Sequence, residues 1–409
     1  MADFDVLIAG GGPGGCAAAI SLRTYAPALR VCVADPGTRT QRNLGEILPP
    51  QAGVFLDHLG ARERFVCDGH VRAYRTESAW GSEHPVANEF LYGVHQCGWR
   101  LDRERFDALL AETARERGVD WRRAHVAAAT RLDEGWAIRF RDGRCRTARF
   151  LVDATGRNAS LCRQLGIATR RHDRLIASVV RFAPEAELID LTVEPCADGW
   201  WYATALPDGA RVLACMSDSD IVRQQGLAGL DGWLRRLGET RFMRALAAGL
   251  TPLEAPQLYP AASLHRSVPA TLPLLAVGDA ASAFDPLSSQ GIAKALRSGV
   301  FASYAVADSL LRGDERGRAR YRDFIADEFA GYQETLAEYY GRERRWSDRP
   351  FWQRRHVNEG APDSAQSTDR PESEQMHASR GDFAAAKQRN PRRRTVKLIE
   401  RAAASQQTT

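Results

Sequence analysis

Residues Asp5 to Asp35, DVLIAGGGPGGCAAAISLRTYAPALRVCVAD, leave a chain few ways to fold. The apolar run Val6-Leu7-Ile8-Ala9 reads as a buried strand, the glycine cluster as a turn, the alanine-rich stretch as a helix, and Val31 to Asp35 as a second strand. The turn carries Gly10-x-Gly12-x-x-Gly15, with Pro13 and Gly14 inside it. Gly10 permits the tight turn, Gly12 lets a pyrophosphate approach the backbone, and Gly15 lets the helix pack on the strand. The helix then points its free N–H groups and positive dipole end at the phosphates. Asp35 closes the second strand, where a carboxylate accepts hydrogen bonds from an adenosine ribose. A glycine triplet alone is weak; strand, helix and acid in register make a Rossmann-type α/β unit the expected fold.

The 409 residues are enough for two domains, or for one large domain with appendages. Positive charge is almost wholly arginine, with lysine only at Lys294, Lys387 and Lys397, and a net charge of +5 gives no argument for nucleic acid. The eight cysteines form no C-x-x-C pair and no metal-ligand spacing, so they read as reduced thiols in a cytoplasmic protein. Met1 leads straight into the first strand, leaving no room for a signal peptide, and no apolar run is long enough to span a membrane.

Further along, Asn43 to Pro50 is a loop with two prolines that force an extended entry to an amphipathic segment from Gln51 to Leu59. Within the segment from Tyr92 to Arg117, Asp102 reads as the N-cap of a helix carrying Arg103, Phe106 and Asp107. Strands follow at Trp121 to Ala128, Trp136 to Phe140 and Thr147 to Val152, and the last runs into the small-residue turn Asp153-Ala154-Thr155-Gly156-Arg157. Short strands at Ile176 to Phe182, Leu191 to Glu194, Trp200 to Leu206 and Arg211 to Met216 predict an inserted antiparallel sheet. A helical stretch is expected near Leu227 to Leu250, a buried strand at Leu272 to Asp279, and long helices over Ile292 to Leu311 and Ala319 to Tyr340. Beyond Val357 the composition turns polar, and the basic run Arg392 to Arg401 reads either as a solvated charge run or as a short docking helix.

Four separated elements form one pattern: the glycine turn, Arg103-x-x-Phe106-Asp107, Asp153 to Arg157, and Gly278-Asp279 with Asp285-Pro286-Leu287-Ser288-Ser289-Gln290-Gly291-Ile292. This resembles the group A flavoprotein monooxygenases of the para-hydroxybenzoate hydroxylase fold, and especially the branch that holds the flavin-dependent halogenases. The resemblance spans roughly residues 4 to 355. It implies a discontinuous FAD-binding domain over 1–170 and 260–312, an antiparallel-sheet substrate domain over 171–259 and a helical segment over 313–357, and the polar composition beyond adds a flexible tail over 358–409. It further implies that Arg103 reaches the FAD phosphates, that Asp279 accepts from a ribitol or ribose hydroxyl, and that Pro286, Ser289, Gln290, Gly291 and Ile292 bring a helix end to the isoalloxazine. Arg103 has a plainer reading as a surface ion pair with Asp102 or Asp107, and Asp279 as a helix cap. In this chemistry NAD(P)H reduces the flavin, O2 adds to give a hydroperoxide, and an electron-rich ring takes the distal oxygen. No second glycine fingerprint follows the first, so reduction is expected by transient docking of NAD(P)H or by a separate flavin reductase.

Within that branch, Gly45-Glu46-Ile47-Leu48-Pro49-Pro50, the segment from Asp285 to Gly299 and Arg345-Trp346-x-Asp348-Arg349-Pro350-Phe351-Trp352 look like the peptidyl-tryptophan hydroxylases that mature tryptophylquinone enzymes. The implied substrate is a tryptophan in a partner polypeptide, with no nucleic acid and no membrane involved. A small-molecule aromatic hydroxylase, which needs an enclosed pocket under the antiparallel sheet, is the main alternative; a non-enzymatic FAD-binding scaffold is another. Halogenases carry a Trp-x-Trp-x-Ile-Pro signature and an essential lysine. Here Tyr202, Thr204 and Ala205 replace the signature's last three defined residues, and no lysine precedes Lys294.

Two residues are candidates for the chemistry. Glu46 lies where related chains pass the flavin and suits proton transfer if shielded; it reads equally as a cap or ion-pair partner. Lys294, one turn into the helix aimed at the flavin, is placed to stabilise the reduced ring or to supply a proton; its plainer reading is a solvated lysine on the outer face. The late cluster from Arg344 to His356 mixes Trp with Arg, as protein-docking surfaces do, or pins the C-terminal helices to the body.

Overall fold

A computed structural model describes residues 2–37, 43–90, 96–185 and 188–356. The chain opens with strand β1 (Phe4–Ala9), helix α1 (Pro13–Tyr25) and strand β2 (Val31–Asp35), as the opening pattern predicts. Then come helix α2 (Arg103–Glu116) and strands β3 (Asp120–Arg123), β4 (Val126–Arg131), β5 (Trp136–Phe140) and β6 (Cys145–Asp153). Asp102 caps α2 as expected, its carboxylate accepting the Glu104 and Arg105 N–H groups at 3.0 and 3.2 Å. The predicted strand from Trp121 to Ala128 is two strands, β3 and β4.

Next come β7 (Leu175–Phe182), β8 (Leu191–Cys196), β9 (Gly199–Ala205), β10 (Arg211–Asp218), β11 (Gln257–Pro260) and β12 (Leu274–Ala276), then helices α3 (Gly291–Arg312), α4 (Arg316–Gly341) and α5 (Pro350–His356). The expected helix over Leu227 to Leu250 is broken: Leu230–Gly238 ends, and the separate short turn Met243–Leu246 begins where the buried Glu194 carboxylate takes three N–H groups, of Arg241, Phe242 and Met243. That carboxylate starts a new helix in a place periodicity does not mark.

The first sheet runs β3-β2-β1-β6-β5-β4 and is parallel from β3 to β6. The long β6 serves two partners along one edge: its first half pairs antiparallel with β5 (Trp136↔Ala148) and its last residues pair parallel with β12 (Leu151↔Leu274). The return strand therefore lies one strand away from β1, across β6, and the turn that follows it brings the Gly278 nitrogen up to Gly14 of the glycine turn. Helices α1 and α3 pack side by side, so closely that a Cβ on Gly299 would strike the Gly14 carbonyl.

The second sheet is antiparallel in the order β11-β7-β10-β9-β8, and then takes in Arg75–Ser78, parallel to β8, and Val86–Glu89. The segment 171–259 therefore does not hold the whole sheet: two strands come from before α2. They are too short and polar to carry an alternation signal, and their burial is mostly partial or absent. Alternation along β9 sends Trp200 to one face, against Trp80, Tyr340, Phe351 and Trp352, and Trp201 to the other, against Trp233. No helix among the described residues is long and apolar enough to cross a membrane. The segment 358–409, with the basic run from Arg392 to Arg401, lies outside the described residues.

Candidate active site

The glycine turn has the geometry a dinucleotide needs. Gly10 sits at φ +104°, and side chains at Gly10 or Gly15 would collide with the Ala154 and Gly10 carbonyls. Turn, helix and the Asp153 turn can close only without Cβ atoms there. At Gly12, by contrast, a Cβ would meet nothing within 4 Å, leaving space for phosphate. Gly12 gives α1 no side-chain cap and Pro13 occupies its first turn, so the helix N–H groups point into that space. Asp35 lies across the turn beside Gly11, with Oδ1 accepting the Gly37 N–H at 3.0 Å. Gly14 backs onto α3: its Cβ would stand 3.3 Å from the Ala295 carbonyl and 3.5 Å from the Gly278 nitrogen.

Asp279 follows in a short turn whose Gly278 N–H donates to Ser298 Oγ at 2.8 Å. Lys294 reaches it from α3, with Nζ 3.0 Å from Asp279 Oδ1, a hydrogen bond to the Ser282 carbonyl, and the Phe284 ring 4.9 Å away. Lys294 is 1% exposed. It is thus neither solvated on the outer face nor available at the ring: the carboxylate it neutralises holds it in the core. Arg157 approaches from the other side, Nε 3.6 Å from Asp279 Oδ2, while donating to the Ala262 and Phe284 carbonyls at 2.7 and 3.0 Å. Burial pushes the Asp279 carboxyl up, but Lys294 and Arg157, with Arg103 further off, outweigh it and hold the group below its ordinary value. The Asp279 side chain keeps 30% of its surface exposed, an edge open to a hydrogen-bond donor. Sequence reasoning passed over Arg157, whose signal was its place in a turn at the C-terminal end of a parallel strand.

Glu46 and Arg103, chosen separately from the sequence, meet. The Arg103 guanidinium donates to Glu46 Oε1 at 2.5 Å and to Asp107 Oδ2 at 3.3 Å, while Glu46 Oε2 accepts the Leu44 N–H at 3.1 Å. The ion pair with Asp107, one of the plainer readings of Arg103, is present; no bond to Asp102 accompanies it among its hydrogen bonds. The Leu44 carbonyl accepts the Tyr202 hydroxyl at 2.7 Å, so β9 of the second sheet is bonded to the Glu46 loop. Burial, with Glu46 nearby, raises the Tyr202 phenol well above its usual range, keeping it a proton donor at neutral pH. From the sequence Tyr202 reads as part of a strand and as a departure from the halogenase signature; its hydroxyl partner is invisible in one dimension.

The last element is the turn before α3. Pro286–Ser288 forms a single 3₁₀ turn, Ser289 takes φ +51°, and Gln290 precedes Gly291 with no side-chain cap. A Cβ on Gly291 would meet nothing within 4 Å, and Ile292 is partly buried behind it. Open space at two glycines, two uncapped helix starts and a carboxylate with one exposed edge together fit FAD. Bound there, the phosphates would lie at Gly12 and α1, the ribose or ribitol hydroxyls at Asp35 and Asp279, and the ring toward Gly291.

The aromatic part of the late cluster pins the chain to the body, while Arg344, Arg345, Arg349 and Arg354 stay exposed. Phe351 and Trp352 are fully buried, and the Trp352 indole donates to the Cys196 carbonyl at 3.0 Å. Arg349 pairs with Asp198, and Arg354 and Arg355 pair with Asp218 at 2.7 and 2.8 Å.

The sequence profile of the tryptophan halogenase family matches residues 73–389. The putative FAD-dependent oxidoreductase LodB of Marinomonas mediterranea is 30% identical over 367 residues, covering 87% of this chain and 98% of that protein. Among solved structures, the flavin-dependent halogenase CmlS superposes with a TM-score of 0.78 at 24% identity, covering 88% of this chain and 68% of its own. The peptidyl tryptophan dihydroxylase QhpG, essential for tryptophylquinone cofactor biogenesis, superposes with a TM-score of 0.71 at 26% identity, covering 89% and 80%. A profile match over more than half the chain, a full-length relative and an FAD-shaped site agree: the chain belongs to the tryptophan halogenase family, as an FAD-dependent flavoenzyme of its monooxygenase-like branch near QhpG.

Proposed function

We propose that this flavoenzyme is a monooxygenase that hydroxylates a tryptophan held in a partner polypeptide, as a step in tryptophylquinone cofactor biogenesis. NAD(P)H and O2 are its co-substrates, with a separate flavin reductase as the other route for electrons. The observation that carries the reading is the filling of the sheet face beside Trp200. Trp80, Tyr340, Phe351 and Trp352 occupy it, with ring centroids 5.2 to 6.3 Å apart. Aromatic side chains of the chain itself stand where a pocket for a small free ring would have to open. A substrate ring borne on a polypeptide needs only an opening beside the Glu46 loop and the start of α3. QhpG, a peptidyl tryptophan dihydroxylase, supports the same substrate class.

Bound FAD would supply O2 activation, the transferred oxygen atom coming from O2. The protein's part is orientation and proton handling. Arg103 and Asp279 hold the cofactor, the uncapped start of α3 favours negative charge at the ring, and Glu46 holds Arg103 while standing at the Tyr202-bonded loop from which a proton can be passed. Halogenation lacks its lysine. The one lysine before Lys387 is buried against Asp279, and arginine, always charged, is a poor acceptor of an electrophilic halogen.

The test is mass spectrometry of a tryptophan-bearing partner polypeptide from the same gene neighbourhood, incubated with FAD-loaded protein, NAD(P)H and O2, beside free tryptophan. The expected result is addition of one or two oxygen atoms to the partner tryptophan and none to the free amino acid. An unchanged partner, with NAD(P)H oxidation stimulated by a small phenol or indole, would make this an ordinary aromatic hydroxylase; halide-dependent chlorination would make it a halogenase.

A further inference from the structure

The turn that opens α3 is held from a direction the cofactor site does not explain. Asp285, 2% exposed, engages both carboxylate oxygens: Oδ1 accepts the Leu287 N–H at 2.9 Å and Oδ2 accepts the Tyr340 hydroxyl at 2.9 Å. Tyr340 stands at the end of α4, also 2% exposed, and its oxygen accepts the Trp200 indole N–H of β9 at 3.0 Å. The Asp285 N–H donates to the Tyr332 hydroxyl, about two turns earlier on the same helix, at 2.7 Å. The nearest cation, Arg355, is bonded to Asp218 and lies over the Phe351 and Tyr340 rings.

A buried carboxylate held by neutral donors costs more than an apolar side chain of the same size. What it achieves here is geometric. With both oxygens engaged, Pro286–Ser288 winds into its 3₁₀ turn, Ser289 takes its left-handed conformation, and α3 begins at Gly291. The first N–H groups of a 22-residue helix are thus aimed by Asp285.

We propose that Trp200, Tyr340 and Asp285 form a positioning relay, through which the antiparallel sheet and the C-terminal helices set how the start of α3 meets the isoalloxazine. This rests on the FAD site and is independent of the substrate, so it stands or falls without any turnover assay.

The experiment uses full-length protein and four variants: Tyr340→Phe, Asp285→Asn, the double variant, and Trp200→Phe. FAD affinity is measured by titrating apoprotein, and the midpoint potential of the bound flavin by dye-coupled reduction. Each of the first two variants is expected to weaken FAD binding about tenfold and to move the potential to more negative values. The double variant should be no worse than the weaker single, because both act through the shared Tyr340–Asp285 contact. Trp200→Phe, which leaves the Tyr340–Asp285 bond in place, should move both readouts the same way by about threefold in affinity, and decides the matter if Tyr340→Phe does not fold. Removing a negative charge acts in the opposite sense and alone would make reduction easier. A positive shift in Asp285→Asn, additive losses in the double variant, or affinities within about twofold of wild type would therefore overturn the relay.

Discussion

Asp279 and Asp285 lie six residues apart on the strap that leads from β12 into α3, and they obey opposite electrostatics. Burial works against the charge of both. Around Asp279 two cations, Lys294 and Arg157, more than compensate, and its carboxyl is held below the ordinary value. Around Asp285 burial, joined by the charge of Asp173, outweighs the Leu287 N–H, Arg355 and the Tyr340 hydroxyl, and the carboxyl is pushed up to about 6. Burial therefore does not decide a group's ionisation; the partners the fold brings to it do. The pairing also divides the labour: the residue with cations keeps an exposed edge for a ligand, and the residue with neutral donors is sealed in and shapes the backbone.

The largest expected break in that contrast is Lys294→Met. It removes the buried member of the Asp279 pair and should lower unfolding free energy by roughly 3 kcal/mol, read by chemical denaturation, with weaker FAD binding as well. An unchanged denaturation midpoint would mean that Asp279 does not need the lysine. Next is the pH profile. Because the folded Asp285 carboxyl binds its proton more tightly than the unfolded one, its contribution is full below about pH 4 and fades as pH rises through about 6, amounting to on the order of 2–3 kcal/mol. Asp279 acts in the reverse sense: its contribution is present above the ordinary carboxylate range and is lost as pH falls below it. Asp285→Asn should thus flatten the stability profile between about pH 4 and 6 while leaving the acid limb, and a profile identical to wild type would remove Asp285 as its source. The smallest effect is Arg157→Gln. At 3.6 Å and partly exposed, this arm of the Asp279 pair should be worth about 1 kcal/mol. A loss equal to that of Lys294→Met would show the two cations to be equivalent, against the geometry.

Much of the site was legible because its signals are local. Glycines that must lack a Cβ, an acid at a strand end and a turn before a helix are written in consecutive residues, so the α1 and α3 starts, Asp35 and Asp279 could be chosen as candidates from sequence. Their partners were not. Lys294 carries nothing in its neighbours to say that it is buried, since α3 is apolar on more than one side. The Tyr202 hydroxyl and Arg157 bond to backbone carbonyls, which every residue possesses, and so leave no compositional trace.

The sequence by itself determined the elements: the opening β1-α1-β2 unit, the short apolar strands β7, β9 and β10 between turn residues, and the two long helices, because apolar runs, turn chemistry and a period of 3.6 are properties of a segment alone. Only the tertiary structure decided which side chains meet. Glu46 and Arg103 are 57 residues apart, Asp285 and Tyr340 are 55, and Trp200 and Tyr340 are 140. The strand Arg75–Ser78, before α2, joins β8 across more than a hundred residues. Such contacts depend on how sheets and helices pack in three dimensions, and periodicity states which face of an element is buried without stating against what.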